Sequence, residues 1–332
     1  MKQNLVNKKI LFIAPEFFGY EKEIVAELER RGAEVDFIPD RPFKSPFMKA
    51  VTRLRRELVL KLAESFFLKA IKRFNRNNYD LILVVLGECV SPKLLTNLRV
   101  QFPKATFTLY MWDSFKNRKF LPKNVPYFDK CFTFDFDDAK NYGMQFRPLF
   151  YSNGFKKTEE KNLKFDISFI GTAHSDRYKV VSKVVANLPK DTKSYLYLFL
   201  QAPWVFWLHK LCNSKFKGAA IREFNFLPLS KAEVKKIFSD SLIILDIEHP
   251  KQTGLTMRTL ETLGAQKKLI TTNSNVVDYD FFNPNNIFVM DRENVGHIPN
   301  SFLLRPYEPL SDQLYEKYSI KGWLDDVLGV KA

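Results

Sequence analysis

The sequence predicts an α/β protein built from two doubly wound parallel sheets, each with helices on both faces. Three observations carry that expectation. Short apolar runs alternate with helical patterns along most of the 332 residues, the signature of parallel strands joined by crossover helices. The runs LILVVL (81–86) and LIILDI (242–247) are almost uninterrupted, as strands buried on both faces require. The alternation breaks at SNGFKKTEEKNLK (152–164), which lacks apolar periodicity and leaves two lengths that each suffice for one core. Domains are therefore expected at 1–152 and 165–310, with 311–332 as terminal helices free to pack back on the first domain.

The first domain should open with a strand at Lys9–Ala14, where charge resumes at Glu16 and no small-residue cleavage pattern follows. This reads as a strand and not a signal peptide. A helix over Glu21–Arg31 and a strand over Glu34–Ile38 come next. From Arg41 to Asn78, eleven Lys or Arg stand against two Glu, Glu57 and Glu64, so most of the net charge of +15 lies there. Phe47, Val51, Leu54, Leu58, Leu62, Phe66, Ala70 and Phe74 recur in it at helical spacing. That predicts one or two amphipathic helices with this row inward and a basic face outward. A strand at Leu81–Leu86, a helix at Pro92–Val100 and strands at Thr106–Tyr110 and Cys131–Phe134 complete the domain.

In the second domain, strands are expected at Ile167–Ile170, Tyr195–Leu200, Ile221–Phe224, Leu242–Ile247, Lys268–Thr272 and Ile287–Met290. Helical patterns at Arg177–Asn187, Lys231–Phe238 and Met257–Gly264 lie between them. The aromatic segment Trp204–Trp207 is expected in the core, with an interfacial anchor as the alternative. YEPLSDQLYEKYSIKGWLDDVLG (307–329) reads as two short helices.

Composition excludes several classes. An apolar share of 45% with 27% charged residues is that of a globular chain and not of a disordered or coiled-coil one. The three cysteines, Cys89, Cys131 and Cys212, form no CxxC pair, which argues against a disulfide framework or structural zinc and for a reducing compartment. The longest apolar segment, Tyr195–Leu211, is broken by Gln201 and Pro203, short of a membrane span. The loop after the first strand holds only Gly19; the dinucleotide fingerprint and the P-loop are both missing.

Ligands in open α/β sheets sit beyond the carboxyl ends of the strands, so chemistry is sought in those loops. In FIGTAHSDRYKVV, Gly171 would let backbone approach an anion, Ser175 or Asp176 could cap the helix, and Arg177 would contact a diphosphate. His174 is a further polar group there. In LIILDIEHPKQTGLTMRTLETLGAQKKLITTN (242–273), Thr253 and Gly254 lead to Thr256, an expected N-cap. Arg258 and Glu261, three apart, share one helix face. A cation so near the positive end of a helix argues for an anion in front of it, and Glu261 is placed to accept from a diol such as ribose. In the first domain, Asp113 after the fourth strand is the candidate general base or acceptor-hydroxyl ligand, followed by Glu88 and then Glu16.

TGLTMRTLETLGAQKKLITTN resembles the donor-site segment of group 1 glycosyltransferases with GT-B architecture, two Rossmann-like doubly wound domains facing a cleft. FDKCFTFDFDDAKNYGMQFRPLFYS (128–152) and DISFIGTAHSDRY (166–178) are similar to the branch that includes spore-maturation, capsule and lipopolysaccharide biosynthesis proteins. In that family a Glu, seven residues and a second Glu mark the donor site. Glu261 matches the second, the expected ribose ligand, whereas Thr253 occupies the position of the first. Glu248 and His249, just upstream, could substitute. Gly171, Thr172 and Arg177 match the phosphate-side loop. The resemblance implies a metal-independent enzyme without cofactor, and FDFDD (134–138) reads as a helix cap over Ala139–Tyr142 and not as a metal-binding DxD.

The sequence thus predicts a glycosyltransferase carrying sugar from a nucleotide-diphosphate sugar to a glycan or lipid-linked acceptor in bacterial surface polysaccharide synthesis. Its expected location is cytoplasmic, peripheral on the inner face of the membrane, with 41–78 touching anionic lipid. The alternatives are a degenerate nucleotide-sugar-binding protein and a basic nucleic-acid-binding protein. The missing aromatic platform or reading helix argues against the latter.

Overall fold

The computed structural model describes residues 5–43, 56–157, 163–250, 253–296 and 298–329. The chain forms two units, Met1–Leu149 with Ile320–Ala332, and Phe150–Ser319. The division falls between Leu149 and Phe150, just ahead of the 152–164 segment.

Unit 1 holds a six-stranded sheet of β1 (Lys9–Ala14), β2 (Glu34–Pro39), β3 (Leu81–Val85), β4 (Thr106–Met111), β5 (Lys130–Thr133) and β6 (Gln145–Phe146). The strand order is β2-β1-β3-β4-β5-β6 and every pairing is parallel. Two-residue β6 was not expected from the sequence; too short to show an alternation, it is held by its pairing with β5. Helices α1 (Tyr20–Arg30), α2 (Glu57–Phe74), α3 (Pro92–Gln101) and α4 (Phe136–Tyr142) connect the strands. Ser91 caps α3 with Pro92 in its first turn, and Asp135 caps α4, one turn earlier than the expected start.

The inward row of α2 differs from expectation. Val59, Ala63, Phe67 and Ile71 are fully buried, while Leu58 and Leu62 are 71% and 60% exposed. Two neighbouring i,i+4 rows of this helix are apolar, and periodicity alone does not choose between them. The row containing Ala63 lies inward, packed with β-strand and α3 residues; Phe66, Ala70 and Phe74 flank it. Phe47, Val51 and Leu54 lie outside the described residues.

Unit 2 holds β7 (Phe165–Thr172), β8 (Ser194–Phe199), β9 (Phe224–Asn225), β10 (Ser241–Asp246), β11 (Lys268–Thr271) and β12 (Ile287–Val289), again all parallel, in the order β12-β11-β10-β7-β8-β9. The expected strand at Ile221–Phe224 is a 3-10 turn over Ile221–Glu223 followed by the short β9; Glu223 folds back onto the Ala220 N–H, closing the turn. The helices are α5 (Arg177–Ala186), α6 (Pro203–Cys212), α7 (Lys231–Ser239), α8 (Met257–Gly264), α9 (Asn300–Leu304) and α10 (Asp312–Lys317). Only Phe206 of α6 is fully buried, whereas Trp204 and Trp207 are 67% and 53% exposed, so the aromatic segment is not core.

The last helix, α11 (Ile320–Leu328), belongs to unit 1. Trp323 is wholly buried and meets Tyr110 of β4 edge-on at 4.8 Å. Asp325 and Asp326 pair with Arg31 and Arg147, each at 2.6 Å. Among the described residues no helix is long and apolar enough to cross a membrane.

Candidate functional site

The order of sheet 2 reverses between β7 and β10, which are neighbours although three strands apart in sequence. Such a switch point opens a crevice at the strand ends, and the predicted donor residues gather there. β7 ends at Thr172, and Arg177 opens α5. The Arg177 side chain straddles the two strands: Nε donates to the Ile247 carbonyl at 2.6 Å and Nη1 to that of Thr172 at 3.2 Å. A Cβ at Gly171 would meet the Phe169 ring at 2.9 Å and Arg177 Nη1 at 3.4 Å, so this glycine makes room for the arginine. Burial lowers the Arg177 pKa; Asp246 and Glu248 pull the other way, and Arg258 and Arg292 add to the depression. Three guanidinium groups and the carboxylates of Asp246 and Glu248 therefore lie within electrostatic reach of one another at this strand end.

Thr256 caps α8 as expected, accepting from the Thr259 N–H. Its hydroxyl and that of Thr259 both donate to Asp246 Oδ2, at 2.6 and 2.7 Å. The cap is thereby tied to the end of β10. One turn on, Arg258 Nη1 contacts Glu261 Oε2 at 3.2 Å, with Glu261 only 3% exposed. The Arg258 guanidinium lies 5.1 Å from the centre of the Phe238 ring. Thr253 and Gly254 present carbonyls to Asn273 Nδ2, and Thr253 also accepts from Asn275.

Glu248 is buried at the same strand end. Arg292 Nη2 donates to its Oε1 at 2.6 Å and to its backbone carbonyl at 2.7 Å, and the Thr272 hydroxyl donates to Oε2. Arg292 Nη1 reaches Asp176 at 2.7 Å. Burial opposes the Arg292 charge, but the two carboxylates outweigh it and hold its pKa above the ordinary value. Asp176 is thus an ion-pair partner, and neither it nor Ser175 makes the expected side-chain cap to α5; Ser175 sits at φ +58°. The rings of His174 and His249 lie 5.5 Å apart. Burial, with Arg177 and His249 nearby, pushes His174 down to about 4, so it is neutral at neutral pH.

Arg292, Asn273 and Asp246 join the site without a role assigned by any motif in the sequence. Asp246 has a local signal, as the polar end of a buried strand. Arg292 meets Asp176 from 116 positions away, and only the topology brings them together.

In unit 1 the candidate carboxylates also cluster at strand ends. Arg118 bridges two of them, Nε to Asp113 Oδ2 at 2.8 Å and Nη1 to Glu88 Oε1 at 2.7 Å; Asn117 donates to Asp113 Oδ1. The Glu88 N–H donates to Asp40 Oδ2 at 3.0 Å. Asp40 Oδ1 and Glu88 Oε2 are buried without a hydrogen bond, facing Arg41 at 3.6 and 3.4 Å. Burial pushes the wholly buried Asp40 up to about 7, against the Glu88 N–H and Arg41. Asp40 is a member that the sequence did not single out. Glu16 is exposed. Arg56, counted with the basic outer face of α2, is instead buried, its guanidinium on the carbonyls of Glu88 and Val90. Burial pushes the Cys89 thiol up to about 12, which disfavours it as a nucleophile. Among the described residues, no group of three His, Cys, Asp or Glu is arranged to hold a metal ion.

No protein-family model and no curated protein matches the sequence. Solved structures do match in three dimensions. A glycosyltransferase from Rickettsia africae superposes with a TM-score of 0.61 at 13% identity, over 98% of this chain and 97% of that one. Anabaena HepE, solved in complex with UDP and glucose, gives 0.53 at 12% identity over 98% and 97%. The fold is GT-B. A UDP-N-acetylglucosamine 2-epimerase gives 0.53 at 11% identity over 97% of this chain and 95% of its own. The GT-B frame therefore serves more than one reaction, and the reaction must be argued from the site.

Proposed function

We propose that this chain is a glycosyltransferase that moves a sugar from a nucleotide-diphosphate sugar to a glycan or lipid-linked acceptor of bacterial surface polysaccharide. The observation that carries the reading is the convergence of Arg177, Arg258 and buried Glu261 on the sheet 2 switch point. Guanidinium groups at a strand end beside the start of α8 suit two phosphates. A carboxylate already oriented by Arg258 suits a ribose diol. Gly171, Thr172, Thr253, Gly254 and Thr256 line the same loops in this reading. Asp113 is the proposed base toward the acceptor hydroxyl, positioned by Arg118 and Asn117. No metal or other cofactor takes part in this proposal.

The proposed setting is the cytoplasmic face of a membrane. On α2, Leu58, Leu62 and Leu68 are exposed among Lys61, Lys69 and Lys72, a composition suited to an anionic lipid surface.

A thermal-shift panel of UDP-, GDP-, CMP- and dTDP-sugars, with and without chelator, tests the donor reading. At least one donor should raise the midpoint equally in both conditions, and Arg258→Ala or Glu261→Ala should abolish the shift. The loss expected is about 1.5–3 kcal/mol of binding, from one charge-assisted contact. A shift that needs added metal, or that survives both substitutions, would end the proposal as written.

One observation favours a second reading, a nucleotide-sugar binder without transfer. Thr253 brings no carboxylate, and Glu248, its nearest substitute, is engaged by Arg292 and Thr272. Release of free sugar or transfer by purified protein decides for the enzyme; donor binding with neither decides for the binder.

A further inference from the structure

A second feature adjoins the donor-site loops, where Asn213 donates to the Ser175 carbonyl at 3.2 Å. α6 carries PWVFWLHKLC and is fixed to its unit by Phe206, which packs among Phe216 and Phe224. Trp204, Trp207, Leu208 and Leu211 are 67%, 53%, 51% and 84% exposed. They fall at i, i+3, i+4 and i+7, one continuous helix face. The usual amphipathic arrangement is inverted, because the apolar stripe faces solvent. Two indoles and two leucines so exposed present on the order of several hundred Å² of apolar surface, beyond the scattered residues common on a monomer.

Charge selects the occupant. From Thr192 to Arg222 the sequence has Lys193, Lys210, Lys215, Lys217 and Arg222 and neither Asp nor Glu. Lys210 lies beside the stripe, its Nζ 5.7 Å from the Trp207 ring and donating one of its hydrogens to the Ala219 carbonyl at 3.0 Å; Lys217 is exposed in the turn after the helix, while Lys215 lies toward Asp176 and Arg292. A second copy meeting this face through itself would set like charges together. An anionic bilayer instead offers headgroups to the lysines and the acyl boundary to the stripe, with indoles at the depth they prefer. Ten residues span about 15 Å, half a hydrocarbon core, so the helix lies along the surface.

We propose that unit 2 docks on anionic membrane through Trp204, Trp207, Leu208 and Leu211 of α6, with Lys210 and Lys217 on lipid headgroups. This stands independently of the donor chemistry and of the α2 surface in unit 1. Exposed Cys212 closes the helix, whereas Cys89 is buried and Cys131 half-buried, so an environment-sensitive dye on Cys212 reports this face.

The full chain is floated with vesicles of phosphatidylcholine alone or with about 30% phosphatidylglycerol. The dye should shift to the blue only with anionic vesicles, and Trp204→Gln/Trp207→Gln/Leu211→Gln should abolish that shift and weaken flotation at least about tenfold. Circular dichroism of this variant should be unchanged, since each side chain replaced is exposed. An unmoved dye, or flotation and shift that persist in the variant, overturns the proposal. Self-association that the variant abolishes, with flotation unchanged, assigns the face to a second copy and overturns it equally.

Discussion

The two sheets have the same number of parallel strands but are wound differently. In unit 1 the neighbours of β1 are β2 and β3, while in unit 2 β7 lies between β8 and β10. Both orders reverse direction once and open a crevice at the strand ends, and the charged residues there differ in how they are paired. Unit 2 sets Arg177, Arg258 and Arg292 among Asp176, Asp246, Glu248 and Glu261, while unit 1 sets Asp40, Glu88 and Asp113 among Arg41, Arg56 and Arg118. Their buried aspartates make the contrast plain. Asp246 receives two hydroxyl donors on one oxygen; Asp40 receives one backbone N–H and keeps an oxygen without a hydrogen bond. The two hydroxyl donors on Asp246 fix a helix cap, whereas burial pushes Asp40 up to about 7. One frame thus yields a strand end whose buried aspartate is hydrogen-bonded to a helix cap in unit 2 and one whose buried aspartate is only partly satisfied in unit 1.

The largest effect that would test this contrast is Trp323→Ala. Losing a wholly buried indole from unit 1 should cost about 3–5 kcal/mol, read as faster hydrogen exchange of β4 amides while β10 and β11 amides keep their protection. Equal loss in both units would show that they unfold as one.

Asp40→Asn comes next and depends on pH. The folded pKa, about 7, lies above the ordinary value of 3.8, so between these the folded state binds the extra proton and stability falls as pH rises. Removing the charge should therefore stabilise the variant relative to the native chain increasingly from about pH 4 to pH 7, by at most on the order of 4 kcal/mol. Denaturant midpoints across that range check it; a flat difference would mean that Arg41 neutralises the buried charge.

Thr256→Ala should have the smallest effect, about 1–2 kcal/mol, from a lost cap and one lost donor to Asp246. Exchange at the start of α8 reads it directly. No change there would separate the cap from the strand end and blur the distinction between the units.

Much of this was legible in the sequence. The apolar runs marked β1, β3 and β10 plainly, because a strand buried on both faces has few polar positions to confuse the pattern. The Thr256 cap and the Arg258–Glu261 pair were readable because their partners lie three residues apart. Leu58 and Leu62 were misassigned because two apolar rows run side by side on α2, and which one meets the sheet is decided by packing. Trp204 and Trp207 misled for the opposite reason, since aromatic residues usually lie inside and here face out. Arg292 and Asp40 owe their surroundings to strand order, which no local spacing encodes.

The return of Ile320–Leu328 to unit 1 sets an order of assembly. A chain emerging amino end first makes all six strands of sheet 1 before it makes the helix that covers Tyr110, and it has by then completed the whole of the other unit. Until Trp323 arrives, that aromatic surface stays open, so the unit begun first is the last to be sealed. A fragment ending at Leu149 would carry the same exposed seam permanently.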